Sequence, residues 1–166
     1  MDETLVHYQP SGGKVLIRPH TPKFLEECSK YYELIIFTAA QQEYADWILD
    51  RLDTKKTISH RLYRQHTDLR NNTNIKDLSK IGRPMSRMII IDNIAENFQL
   101  QTDNGIFIKS WYDDKDDTAL MELFPLLKEI VVKNFPDVRK ALKIMRQQMQ
   151  ANLRTGRKEI TLSGYV

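Results

Sequence analysis

Seven residues combine reactive chemistry with a telling position. Asp2 and Thr4 lie in the opening run Met1-Asp2-Glu3-Thr4-Leu5-Val6-His7. Thr38 follows the apolar run Ile35-Ile36-Phe37, Arg64 closes Arg61-Leu62-Tyr63-Arg64, and Lys76 stands in Ile75-Lys76-Asp77-Leu78. Asp92 and Asn93 follow Ile89-Ile90-Ile91. An acid can give and take a proton, while a hydroxyl and a cation can hold anionic oxygens. A second acid beside an amide offers the hard oxygen ligands that Mg²⁺ prefers. Together such groups can build a pocket that handles phosphate.

Each residue also has a plainer reading. A Thr after a strand commonly caps the next helix, and Thr38 precedes Ala39-Ala40 and a helical run. Near a helix N-terminus the same hydroxyl can serve an anion. A lone Lys such as Lys76 is ordinarily a surface charge, so Lys76→Ala is expected to leave stability nearly unchanged. Asp92 is the most telling, because an acid ending a buried strand needs a partner or a metal.

The elements that must position these groups alternate. Val15 to Ile17 reads as a short strand, and Thr21 before Pro22 as an N-cap and first helical residue. A helix then runs through Phe24, Leu25 and Cys28. Glu33 to Phe37 is a strand, apolar after its first residue, as when both sheet faces are covered. Glu43 to Leu52 is helical, with Tyr44, Trp47, Ile48 and Leu52 on a stripe expected to face the core. Ile58 to Arg64 alternates like a half-exposed strand, and Met88 to Ile91 is a buried one. Asn104-Gly105 marks a turn before a strand at Ile106 to Ile108. Asp117 to Val132 is a helix that Pro125 should kink or break, and Pro136 to about Met149 is a last helix. The expected fold is α/β: a parallel sheet with helices on both faces and its site at the carboxyl ends of the strands.

At 166 residues the chain is long enough for one core. The expected organisation is one domain over 1–150 and a basic, flexible tail over 151–166. From Lys133 onward eight basic residues face two acidic ones, against 17 basic and 20 acidic before it. This basic end reads either as a solvated helix face or as a surface for an acidic partner. Few aromatics interleave with these cations, so no nucleic acid is expected. No apolar run approaches the roughly 20 residues that cross a bilayer. The single cysteine, Cys28, fits a reducing intracellular compartment and reads as packing, since its acidic neighbours raise a thiol pKa.

Ordered motifs then carry a resemblance. Asp2-Glu3-Thr4-Leu5-Val6-His7, Arg18-Pro19-His20, Phe37-Thr38-Ala39, Arg61-Leu62-Tyr63-Arg64, Ile75-Lys76-Asp77-Leu78-Ser79, Ile91-Asp92-Asn93 and Lys109-Ser110-Trp111-Tyr112 resemble the CTD-phosphatase, or NLI-interacting-factor-like, domain. This branch of the haloacid dehalogenase superfamily includes the small CTD phosphatases and Dullard. The resemblance implies a Rossmann-like sheet without a large cap domain. It also implies a Mg²⁺-dependent protein Ser/Thr phosphatase acting on a phosphoserine or phosphothreonine segment. Its motif is Asp-x-Asp-x-Thr, in which the first Asp becomes an aspartyl-phosphate.

By this resemblance Asp2 is the general acid/base and Thr4 supports its loop. Thr38, Lys76 and Arg64 hold the phosphoryl oxygens. Asp92, Asn93 and the Asp2 backbone carbonyl form the Mg²⁺ site. The nucleophilic Asp would stand immediately before Met1. The expectation is therefore a domain shortened at its N-terminus, lacking its first strand and catalytically impaired. The alternative is a non-catalytic binding or scaffolding module of the same family. The run from Tyr8 to Lys14 is short for a small CTD phosphatase, which leaves Ser-Pro specificity open. A nuclear or cytoplasmic setting is implied, with membrane association possible for a longer parent protein.

Overall fold

The computed structural model describes residues 1–155 and 160–162. The chain opens with a loop at Asp2–Leu5 and a hairpin of β1 (Val6–Gln9) and β2 (Lys14–Ile17), paired antiparallel. The strand expected at Val15 to Ile17 therefore exists, but as half of a hairpin outside the parallel layer. Its partner β1 was not foreseen.

Helix α1 (Thr21–Ser29) follows. Thr21 does not cap it through its side chain. The buried Thr21 hydroxyl donates instead to the Leu5 and Arg18 carbonyls, 3.1 and 2.8 Å away. His20, in a left-handed conformation at φ 68°, turns the chain into the helix. The expectation of a Thr cap fails because a nearby tertiary acceptor takes the hydroxyl.

Strand β3 (Leu34–Phe37) leads through α2 (Gln42–Leu52) to β4 (Ile58–Leu62), which pairs parallel with β3. A small hairpin follows, β5 (Asp68–Arg70) and β6 (Thr73–Ile75). Its two-residue turn uses Asn71 and Asn72, both in the left-handed region. Asn tolerates that region better than most residues. After 3₁₀ turns come β7 (Ile90–Asp92), an irregular helical run at Ala95–Asn104 and β8 (Gly105–Phe107), parallel to β7. Helices α3 (Ala119–Val132) and α4 (Val138–Thr155) complete the chain.

The main core joins Leu5, Val6, Phe24, Ile36, Leu49 and Leu120 from the opening loop, the hairpin, β3 and three helices. A second cluster gathers Ile130, Phe135, Leu142 and Met145 around α4, with Ile89 and Ile106 packed against it. Helix α3 runs on through Pro125 instead of breaking. Pro125 and Met121, whose carbonyl loses its usual partner, are both exposed, so that carbonyl can turn to water. Trp47 corrects the expected stripe. It is exposed, and the Arg51 guanidinium lies 4.7 Å from its ring. Such a cation over an indole face is a favourable contact at the surface. Ala45, Ile48, Leu49 and Leu52 make the buried face instead. Cys28 packs in the core, where burial pushes its thiol up to about 12.

The C-terminal end departs from a loose tail where it is described. Leu162 is fully buried in the α4 cluster. Gln148 exchanges two hydrogen bonds with the Thr161 backbone, and the Leu162 amide donates to Glu129 Oε2. The rest of that expectation, at 156–159 and 163–166, lies outside the described residues.

Gly105 marks a point with no spare room. A Cβ there would stand 2.0 Å from Cε2 of Phe98, whose ring is buried with Leu78, Met88 and Ile90. Gly105→Ala is expected to destabilise the fold by about 1–3 kcal/mol, as overpacking typically does. A urea midpoint equal to the parent's would show that the Phe98 ring can move aside.

Candidate active site

The opening loop is held by its own backbone. The Met1 carbonyl accepts from the Leu5 amide at 2.9 Å and the Thr4 amide at 3.3 Å. Glu3 sits left-handed at φ 54°. The Glu3 carbonyl accepts from the Trp111 amide at 2.8 Å. Arg18, 1% exposed, fastens the loop from below. Its guanidinium donates to the Thr4 and Lys109 carbonyls, both at 3.1 Å, and grips Asp117 through two bonds of 2.7 and 2.8 Å. That bidentate pair holds the Asp117 carboxyl below its ordinary value. The loop at residues 2–5 is thus tied to the segment after β8, far away in sequence.

Asp2 presents its carboxylate to α2, where the Tyr44 hydroxyl donates to Oδ1 at 2.9 Å. Burial, and then the Asp2 carboxylate, raise the Tyr44 phenol well above its usual range. It therefore stays a neutral donor at any ordinary pH. Thr4 donates to Asn93 Oδ1 at 3.0 Å, and Asn93 Nδ2 donates to Ser110 Oγ at 3.0 Å. The loop and the end of β7 thereby fix Asp2, Thr4 and Asn93 relative to one another.

Asp92 ends β7 and Lys76 follows β6; both are 3% exposed and pair directly. Asp92 Oδ1 also accepts from the Ile94 amide at 2.9 Å and Asn97 Nδ2 at 3.1 Å. The Lys76 amide donates to the Asn97 carbonyl at 2.7 Å, so backbone and side chain are both anchored. Lys76 is not the surface charge its sequence context suggests. A buried acid demands a counter-charge, and Lys76 supplies it. The Met1 amine feels Lys76, Asp92, Asp2 and Glu3 together, and burial followed by Lys76 pushes it down to about 6.

Thr38 is buried at the end of β3, and its hydroxyl accepts from the Ala40 amide at 3.1 Å. Exposed Arg64 reaches back to the same turn. Its side chain donates to the Ala39 carbonyl at 2.6 Å and its backbone amide to the Ala40 carbonyl at 3.0 Å. The structure thus forms two groups. Asp2, Thr4, Lys76, Asp92 and Asn93 surround the opening loop. Thr38 and Arg64 share the turn after β3, and among the described residues no hydrogen bond or ion pair joins them to Lys76. Both groups occupy the carboxyl ends of parallel strands, where ligands bind in open α/β sheets. Tyr44 and Asn97 escaped the sequence reading. Tyr44 was visible only as one member of an aromatic stripe, and nothing local marks Asn97.

The oxygen donors of Asp92 and Asn93 suit a hard cation that keeps much of its water, as Mg²⁺ does. One carboxylate is present there, and among the described residues no cluster of three or more His, Cys, Asp and Glu side chains could hold a metal by itself.

The class of protein follows from fold and site. Residues 1–139 match the family described as NLI interacting factor-like phosphatase, and the chain belongs to that family. Phosphatase PSR1 of Saccharomyces cerevisiae is 38% identical over 162 residues, covering 87% of this chain and 38% of the yeast protein. CTD nuclear envelope phosphatase 1B of Danio rerio is 43% identical over 127 residues, covering 75% of this chain and 51% of that protein. The chain thus spans about half or less of the length of these curated relatives. The fission yeast RNA polymerase II CTD phosphatase Fcp1, solved with beryllium fluoride, matches at TM-score 0.50 and 19% identity, over 92% of this chain and 45% of that one. The fold is accordingly the α/β, haloacid-dehalogenase-like one that the motifs implied.

Proposed function

We propose that this domain is the catalytic scaffold of a Mg²⁺-dependent protein Ser/Thr phosphatase that works through an aspartyl-phosphate. The buried Lys76–Asp92 pair beside Asp2, Thr4 and Asn93 carries the reading. Burying opposite charges costs desolvation, and such a pair is often no better for stability than apolar residues of similar size. A catalytic role accounts for that cost.

In this reading the nucleophile is a carboxylate immediately before Met1, a residue the 166-residue chain does not contain. Asp2 protonates the leaving alkoxide and then takes a proton from water, and Tyr44 holds it in position. Lys76, Thr38 and Arg64 stabilise the phosphoryl oxygens. Asp92, Asn93 and the Asp2 carbonyl would hold Mg²⁺, which supplies positive charge to the transferring phosphoryl group. The substrate is a phosphoserine or phosphothreonine segment of an intracellular protein. The relatives named as phosphatases support this reading, and so does the element order, in which the described residues hold no large cap insertion. The polypeptide of 166 residues alone is a poor catalyst.

Asp92→Ala tests the metal half. In a chain extended to include the nucleophile, this variant should lose turnover and calorimetric Mg²⁺ binding together. A variant that folds and binds Mg²⁺ like its parent removes Asp92 from the metal site and leaves it as a structural partner of Lys76, Ile94 and Asn97.

A further inference from the structure

The parallel layer is split. Strand β3 pairs only with β4, and β7 only with β8, among the described residues. The free edges of β3 and β7 flank a cleft of about 350 Å³. Its walls are Leu34–Phe37 and Met88–Ile91, and Leu25, Cys28, Leu120 and Leu127 line it from α1 and α3. Met1 and Thr4 lie at the carboxyl end. At the amino end Arg83 reaches Glu33 through bonds of 2.9 and 3.0 Å, linking the two halves of the layer. The cleft is charged at both ends and apolar between them.

The walls restrict what can fill it. Each is a strand edge that offers alternating backbone donors and acceptors. An α-helix of about 10 Å diameter is too wide for a gap one strand wide, since strands lie about 4.8 Å apart. An acyl chain or an apolar side chain leaves both rows of backbone groups unpaired, which is costly where water is excluded. An extended peptide satisfies both rows at once. Its side chains meet apolar surface on both faces, so a continuous apolar run is required.

We infer that the cleft between β3 and β7 is a receptor site for one apolar β-strand of about five residues, and that a peptide of this kind binds there in trans. Its length is set by the four residues of β3 and three of β7. It runs parallel to both, so its carboxyl end arrives beside Met1 and Asp2. Occupancy converts two half-sheets into one five-stranded layer. This deepens the phosphatase reading, and rests on it only where the last residue of the strand is asked to do chemistry.

The test uses the 166-residue chain and a dye-labelled synthetic peptide, Lys-Lys-Val-Ile-Val-Leu-Val-Asp. Anisotropy should show saturable one-to-one binding, with amide shifts at Ile35–Phe37 and Ile89–Ile91. N-methylation of the central Val amide should weaken binding on the order of tenfold or more, because one ladder hydrogen bond and its steric room are lost. Replacing alternate apolar residues by Lys should abolish it. Equal binding of the N-methylated peptide overturns the inference, as do shifts confined to exposed Leu69 or Phe107. A dimer of this chain that excludes the peptide overturns it too, because the edges then pair with a second copy. Peptides ending in Asp and in Asn separate the two proposals. If both bind and Asp gives no turnover of an aryl phosphate, the cleft stands and the nucleophile assignment falls. If neither binds, the cleft proposal falls, whatever the activity of a covalently extended chain.

Discussion

Joining an apolar strand that ends in Asp directly ahead of Met1 raises turnover of an aryl phosphate by about 10⁴–10⁶ over the unextended chain, the range that removing one member of a catalytic unit typically costs. The remaining groups are held in place without it. Asp2 is fixed by Tyr44, Thr4 by Asn93, and Lys76 by Asp92 and the Asn97 carbonyl. A carboxylate entering at the carboxyl edge of the layer therefore meets a prepared site. The same extension ending in Asn should fold equally well and turn over no faster than the unextended chain. Mg²⁺-dependent turnover by the unextended chain at the rate of the Asp form would sink the nucleophile assignment.

Lys76→Ala lowers stability by about 3–5 kcal/mol, the usual consequence of removing one partner of a buried ion pair. Asp92 would keep its bonds from the Ile94 amide and Asn97, but not its counter-charge. At roughly 2–4 °C per kcal/mol for a chain of this size, the melting temperature should fall on the order of 10 °C. Replacing the pair together, Lys76→Met with Asp92→Leu, should recover most of that loss, because apolar residues of similar volume need no partner. Tungstate separates stability from binding. It should raise the melting temperature of the parent by mass action and leave the double variant unmoved. If Lys76→Ala melts like the parent, the pair contributes nothing to the fold. If the double variant still gains from tungstate, Lys76 does not hold the anion.

The elements were largely legible because their signals are local. The apolar run before Thr38, the Ile triplet before Asp92 and the spacing of Leu120, Leu123 and Leu127 each determine a strand or helix face within a few residues. The acid at the end of a buried strand could likewise be singled out, since burial of charge always needs an answer. What answered it could not be read. Lys76 reaches Asp92 across 16 residues, Tyr44 reaches Asp2 across 42 and Arg18 reaches Asp117 across 99. Their partners depend on how strands and loops pack, and nothing in the flanking residues encodes that choice.

The same division explains the corrections. Trp47 has the spacing of a core residue, yet α2 buries Ala45, Ile48 and Leu49 because the neighbouring elements decide which arc of an apolar stripe faces inward. Val15 to Ile17 has strand chemistry, but only tertiary pairing with β1 made it a hairpin arm. By itself the sequence determined which residue types could do phosphate chemistry and which segments would end beside one another at a sheet edge. Tertiary structure alone decided that Lys76 is buried, that Tyr44 serves Asp2, and that β3 and β7 stand apart with their edges free. Hydrophobic period and strand ends are short-range properties of the chain, whereas ion pairing and sheet order are settled by long-range packing.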